Sequence, residues 1–370
     1  MKINLLINLT NEQSSLTAYF YNLSTHKYEI LDIVEFATDQ IISNSTILDV
    51  EKLTTTFKQH YDLLCANVLV DHFQEINLVL PFQIPILNEQ VWINHKFDHY
   101  VKKFDENQFF KIRNYEFLQE NKKVIYSYFV NKSLFEKYQN LFTKLHLKIS
   151  KIYTPALLIG QVFSQYSKYN VVIEFERKKI TYNFYYGQNI INTKSISYGS
   201  DYLVQYLVKK LKTAYQLDQD FQIDQVIALL KKGSLFEIEK NVSLMLFFNH
   251  KPLTVLEFFI KTLKEAINEM IISISHKKLK AFQEELKINW IDNIFFYKNE
   301  YIYQIFKNDF LNLAGKWMCL KDVCQQFNHN IYQINDPIIA TFFLGQNYQN
   351  QIQKTEKQRL KTQKLLQSTI

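Results

Sequence analysis

The chain has 370 residues and a mass of 44.4 kDa, enough for two or three domains at roughly 100–200 residues each. Its hydrophobic share of 47% supplies a sizeable core, but its 6 glycines stand where about 26 would be expected at roughly 7% usage. Gly160, Gly187, Gly199, Gly233, Gly315 and Gly345 never lie closer together than 12 residues, which excludes a GxGxxG turn, a Walker A loop and a GxSxG elbow.

A formal charge of +7 and a pI near 8.9 suit acidic partners such as anionic lipid, nucleic acid or an acidic peptide. An AT-rich coding genome gives the same bias toward Lys, Asn, Ile, Tyr and Phe. Cys65, Cys319 and Cys324 form no disulfide framework and suit a reducing compartment. No uninterrupted apolar run approaches the roughly 18 residues of a membrane span, the densest being Val242–Phe248. Met1-Lys2 leads into Ile3–Leu9 without the long apolar stretch and cleavage site of a signal peptide. The expectation is a cytoplasmic protein, or one attached to a membrane from that side.

Strands are predicted over Ile3–Leu9, Leu16–Tyr21 and Tyr28–Phe36. Asp49 offers an N-cap for a helix carrying Leu53, Phe57, Tyr61 and Leu64 at helical spacing. Ile76–Leu80 is an apolar strand, and Pro81–Gln119 shows no strong period. Val124–Val130 reads as a strand, and Ser133–Glu136 as a capping box opening a helix whose stripe is Leu134, Tyr138, Leu141 and Leu145. A strand over Leu147–Ile152 and a helix from Pro155 to about Gln165 follow. Val171–Phe175, Thr181–Tyr186 and Ile190–Ser197 form a meander turning near Lys178 and Gly187, and the next helix carries Leu203, Leu207 and Leu211. The longest helix begins at Pro252 and keeps period to about Leu286. Ile291–Tyr297 is a strand, Trp317–Phe327 a helix and Ile331–Ile334 a strand. No internal sequence repeat is evident. The tail from Asn347 to Ile370 holds five basic residues and one acid, so it carries +4 of the net +7. Strand pairs alternating with helices, twice over, predict a two-lobed α/β protein.

The run VVIEFERKKITYNFYYGQNIINTKSISYGSDYL from Val171 resembles, without a gap, the cell-division protein FtsA of the actin-like superfamily. Glu174 falls where that family ends a strand in an Asp before a Gly-rich phosphate turn. Gly187 falls on the hairpin turn, and Asn192-Thr193-Lys194 with Ile196, Tyr198 and Gly199 on the segment entering a helix. Residues 124–165 resemble the end of the FtsA insert and the return to the main lobe, while 47–80 have the family's helix and apolar strand. Likeness is weaker over 253–346, and PilM-type relatives share much of the pattern. The resemblance implies a two-lobed actin-like ATPase fold with a small α+β insert. Its expected parts are a first lobe over 1–81 and 156–200, an insert over 82–155, a second lobe over 201–346 and a basic tail over 347–370.

The departures from the family bear on function. Actin-like folds grip nucleotide phosphates by bare amides of Gly-rich turns and hold Mg²⁺ through acidic residues. The first turn here reads Asn8-Leu9-Thr10-Asn11, an amide replacing the expected Asp. The second reads Glu174-Phe175-Glu176-Arg177-Lys178, and the third, a Gly-Gly pair in the family, reads Lys298-Asn299. Val226 and Leu229 replace the family's Ala-Glu–Lys signature. The nucleotide loops are degenerate, so these positions are predicted not to bind, and a pseudo-ATPase without ATP or Mg²⁺ is expected.

By resemblance the function is that of an adaptor binding the FtsZ C-terminal peptide and holding filaments at the inner face of the membrane, at the division site. In FtsA a C-terminal amphipathic helix docks on the membrane. The equivalent residues here are Lys357, Arg359, Leu360, Lys361, Lys364, Leu366 and Ile370, suited to an anionic surface although Leu365 points away from the apolar side. A disordered solubilising tail is the alternative. Self-association stays open, as do an ATP-binding polymer former, a PilM-like scaffold of a pilus or secretion platform, and a structural relic. His95 and His99 around Asp98 have metal-binding spacing but no third ligand nearby, and Cys319 and Cys324 are wrongly spaced for a CxxC site. Nucleic-acid binding is not expected, because the aromatics alternate as a core requires.

Overall fold

The computed structural model describes residues 3–9, 14–25, 27–36, 44–70, 74–80, 91, 95, 109–119, 122–163, 167–215, 254–286, 290–299, 302–303, 315–320, 322–323 and 338–346. The chain divides into two compact units. One is Met1–Phe163 with Gln188–Ile191 and Phe327–Ile370; the other is Ser164–Gly187 with Asn192–Gln326.

The first unit opens with β1 (Ile3–Leu9), β2 (Ser14–Asn22) and β3 (Lys27–Phe36), followed by α1 (Asn44–His60), β4 (Leu63–Val70) and β5 (Gln74–Leu80). Next come β6 (Phe109–Gln119), β7 (Lys122–Asn131), α2 (Lys132–Leu145), β8 (Ile149–Tyr153) and α3 (Pro155–Phe163). A five-stranded sheet runs β3-β2-β1-β4-β8, with β1 antiparallel to β2 and parallel to β4, and β4 parallel to β8. Parallel strands covered by helices are apolar almost throughout, as β1 is. One face packs Ile3, Leu5, Ile7, Leu16, Ala18, Val68 and Val70 against Val50 and Phe57 of α1 and Tyr138, Leu141 and Leu145 of α2. The other face carries Tyr19, whose ring meets Phe342 at 5.7 Å and Phe343 at 5.1 Å edge-on. Those two phenylalanines belong to α7, residues 338–346. Separately, β5-β7-β6 form a three-stranded antiparallel sheet.

The second unit contains β9 (Tyr169–Phe175), β10 (Ile180–Tyr186), the greater part of β11 (Asn189–Ile196, whose first three residues are counted with the first unit), α4 (Ser200–Tyr215), α5 (Thr254–Ile267), α6 (Ile274–Leu286), β12 (Asn293–Tyr297) and β13 (Lys316–Cys319). Its sheet runs β11-β10-β9-β12-β13. Asn268–Ser273, between α5 and α6, is π-helical, so the long helix predicted from Pro252 changes pitch midway.

Several boundaries differ from expectation. Helix α1 starts at Asn44, which puts Asp49 inside it, and Leu64 lies in β4, a strand absent from the sequence reading. Residues 109–119 are a strand. Asn131, not Ser133, caps α2: its side chain accepts from the Ser133 amide at 2.9 Å. Trp317–Cys319 pair with β12 as a strand where a helix was expected, because the parallel partner satisfies their backbone. The compact division also puts β9 and β10 in the second unit and α7 in the first, whereas the sequence reading assigned 156–200 to the first lobe and 201–346 to the second. Sheet pairing accounts for the former, since β9 lies between β10 and β12. Val226, Leu229, Val242–Phe248, Ile331–Ile334 and the whole basic tail lie outside the described residues.

Candidate functional site

In the second unit β9 is central, and Val171, Val172, Ile173 and Phe175 are fully enclosed. Its register with parallel β12 sets Tyr297 beside Glu174, so Lys298 and Asn299 emerge next to the β9–β10 hairpin. Both have left-handed backbone, φ 63° for Lys298 and 47° for Asn299. Asn tolerates that region through its short polar side chain, whereas for Lys it is uncommon and must be held by the surroundings. These are the residues where the family resemblance placed a Gly-Gly turn. The backbone shape of such a turn is present without its glycines.

The Lys298 side chain is the holding element. Its Nζ lies 2.9 Å from Glu176 Oε1 and 3.9 Å from Glu174 Oε2, and the lysine side chain is only 4% exposed. Glu176 also takes an ion pair from the exposed Lys179 at 3.2 Å. Burial pushes the Glu176 carboxyl up, but Lys298 and Lys179 more than offset it and hold the group below the usual carboxylate range. Asn183 Nδ2 donates to Glu174 Oε1 at 2.8 Å, and Thr193 Oγ1 donates to Asn183 Oδ1 at 3.0 Å. Asn299 Nδ2 donates to the Phe175 carbonyl at 2.6 Å.

The hairpin is fastened on its other side by the start of α4. The Ser200 amide donates to the Glu176 carbonyl at 3.0 Å and the Asp201 amide to the Arg177 carbonyl at 2.9 Å. Helix N-terminal amides of this kind otherwise attract anions. Arg177 Nε donates to Asp201 Oδ1 at 3.1 Å. Gly199 is required here, because a Cβ would drive into the Glu176 and Arg177 carbonyls.

The structure thus brings together Glu174, Glu176, Arg177, Lys298 and Asn299. Asn8 stands at the end of β1 in the first unit, fully buried, while Thr10 lies outside the described residues. In that unit the buried polar contact is Asn67 Nδ2 donating to the Tyr19 hydroxyl at 2.6 Å, with burial pushing the phenol well above its ordinary range. Gln346 Nε2 donates to the Tyr153 hydroxyl at 3.0 Å. Sequence reasoning missed Asn183, Lys179 and Asp201. The signal for Asn183 was a lone amide inside the aromatic strand ITYNFYY. His95 is exposed, Asp98 and His99 lie outside the described residues, and no cluster of three metal-ligating side chains occurs among the described residues. Cys319 is buried and Cys65 half-buried, both as free thiols.

No family model matches the chain. No curated protein matches it by sequence either. Solved structures do. A chain of the PilM–PilN type IV pilus biogenesis complex superposes with a TM-score of 0.56 at 8% identity, covering 94% of this chain and 98% of that one. MreB5 of Spiroplasma citri bound to ADP gives 0.47 at 11% identity, over 96% and 99% of the two chains. The ethanolamine utilization protein EutJ from Carboxydothermus hydrogenoformans gives 0.41 at 9% identity, over 93% and 88%. With two mixed sheets and helices in that arrangement, the chain has the actin-like ATPase fold.

Proposed function

We propose that the chain is a non-hydrolysing actin-fold adaptor that binds the FtsZ C-terminal peptide and tethers FtsZ filaments to the cytoplasmic membrane at the division site. The observation that carries the first half is the Lys298–Glu176–Glu174 cluster. A triphosphate seated between this hairpin and turn would meet two carboxylates of its own sign, and would have to draw Lys298 from a contact of 2.9 Å. The amides at the start of α4 are already spent on hairpin carbonyls. These residues do not fit a nucleotide phosphate, and the carboxylates that could otherwise face Mg²⁺ are held by the Lys298 ammonium, so no chemical step is assigned to either. The FtsZ half rests on the gapless likeness to FtsA over 171–203 and on the basic tail.

The chain's likeness to PilM–PilN over nearly its whole length favours a second reading, a scaffold within a pilus or secretion platform. Co-sedimentation with anionic liposomes separates the two. FtsZ pelleting with the full chain, and not with a chain ending at Gln346, supports the tether. FtsZ left in solution while this protein pellets removes it in favour of the scaffold. Isothermal titration with Mg·ATP should show no heat of binding; micromolar affinity would refute the expectation that the loops do not bind, and phosphate release in the same mixture would refute the non-hydrolysing reading.

A further inference from the structure

We propose that the outer face of α4 is a docking surface for an acidic peptide segment carrying aromatic or aliphatic anchors. This surface is independent of the function proposed above. The helix buries Leu203, Val204, Leu207 and Val208, which leaves Tyr202, Tyr206, Lys209 and Lys210 to its other side. Tyr198 and Tyr202 are each 43% exposed, and their rings lie 4.8 Å apart. Lys210 Nζ stands 5.5 Å from the centre of the Tyr206 ring, so the aromatic stripe ends under an ammonium. Exposed Arg177 and Lys178 flank the other end.

Charge selects the occupant. On the described face of α4 one acid, Asp201, stands against Lys209 and Lys210, and Asp201 is paired with Arg177. An incoming carboxylate would therefore meet cations at both ends of the stripe and tyrosines between them. Tyrosines that are partly exposed and have basic groups at either end of their stripe suit a peptide's apolar anchor, with charge speeding the encounter. The 51° angle between the Tyr198 and Tyr202 rings offers no parallel pair of faces for successive nucleic-acid bases, which favours peptide.

The test uses the full chain and fluorescence polarization with a labelled peptide of repeated Glu-Glu-Phe triplets. A Lys-Lys-Phe peptide and a short oligo-dT serve as comparators. The acidic peptide is expected to bind at least about tenfold more tightly than either comparator, and to weaken as salt rises toward a Debye length of about 8 Å. The double variants Tyr202→Ser/Tyr206→Ser and Lys209→Glu/Lys210→Glu should each weaken binding by about tenfold or more. Both lysines are exposed, so their variant keeps the test decisive if the tyrosine variant fails to fold. Absence of binding, binding unchanged by the lysine pair, or tighter binding of oligo-dT would overturn the proposal.

Discussion

The two five-stranded sheets share one plan. In each, a consecutive trio occupies one side and the first strand of that trio lies parallel to a later strand, which in turn pairs with another parallel strand. Their polar interiors are closed by different chemistry. The first unit uses neutral groups, with Asn67 on the Tyr19 hydroxyl and the α7 phenylalanines packed around that ring. The second uses charge, with one enclosed ammonium holding two carboxylates. One topology thus tolerates two ways of satisfying a polar centre, and they differ in how they respond to pH and to loss of one partner.

The sharpest break in that comparison is Lys298→Met. Removing the cation leaves Glu174 and Glu176 enclosed together, and a loss of about 3–5 kcal/mol in urea denaturation is expected. The deficit should narrow in acid. In the variant, burial without the lysine raises the Glu176 pKa, so protonation relieves the repulsion; in the parent chain the depressed carboxyl is stabilising above the ordinary Glu value of about 4.3 and that contribution is lost as pH falls through its lower folded value. A deficit constant between pH 7 and 3 would remove the ion pair from the account of the second unit.

Gly199→Ala tests the same hairpin through its backbone. The methyl group would meet two carbonyls, and a loss of about 1–3 kcal/mol is expected from the displacement. Gly187→Ala makes the useful contrast, since no atom stands within 4 Å of a Cβ there and only the left-handed φ of 56° penalises it. Thermal unfolding of both variants should rank Gly199 as the more sensitive.

The smallest effect belongs to the first unit. Tyr19→Phe keeps the ring contacts and removes the acceptor of Asn67, for a loss of about 1–2 kcal/mol. This loss should be flat across pH 4–8, unlike that of Lys298→Met. A pH-dependent Tyr19→Phe deficit would erase the distinction between a neutral and a charged centre.

The sequence was most legible where period and turn chemistry agreed. Strands β9, β10 and β11 fall within two residues of expectation, because β-branched and aromatic runs are punctuated by a charged hairpin and by Gly187, whose φ is 56°. Strand β6 was illegible for an identifiable reason: its register shifts between Lys111 and Arg113, so the alternation of FFKIRNYEFLQ breaks mid-strand. Leu64 was drawn into a predicted helix because its spacing from Phe57 and Tyr61 is helical, yet it lies in β4 and is 51% exposed. At Lys316–Cys319, four residues are too few to show a strand period, and pairing with β12 decided the outcome. The site was legible as a list of degenerate positions, but that Lys298 reaches back to Glu176 across 122 residues is a tertiary fact no local pattern encodes.

The π-helical segment at Asn268–Ser273 makes chain length itself a structural variable. A π-turn closed by i→i+5 bonds holds one residue more than an α-turn. The six residues here therefore turn the chain about as far as five residues of α-helix at about 100° each. Deleting one residue within 268–273 would restore a regular helix with α6 close to its present phase. Phe282 would then keep its stack on Phe184, at 3.7 Å, and Ser275 its contact with the Tyr182 hydroxyl, at 3.0 Å. One residue inserted into α6 before Ser275 without such a wide turn would instead swing both away by about 100°. The six-residue wide turn thus takes up one residue of chain without turning the helical face that follows it.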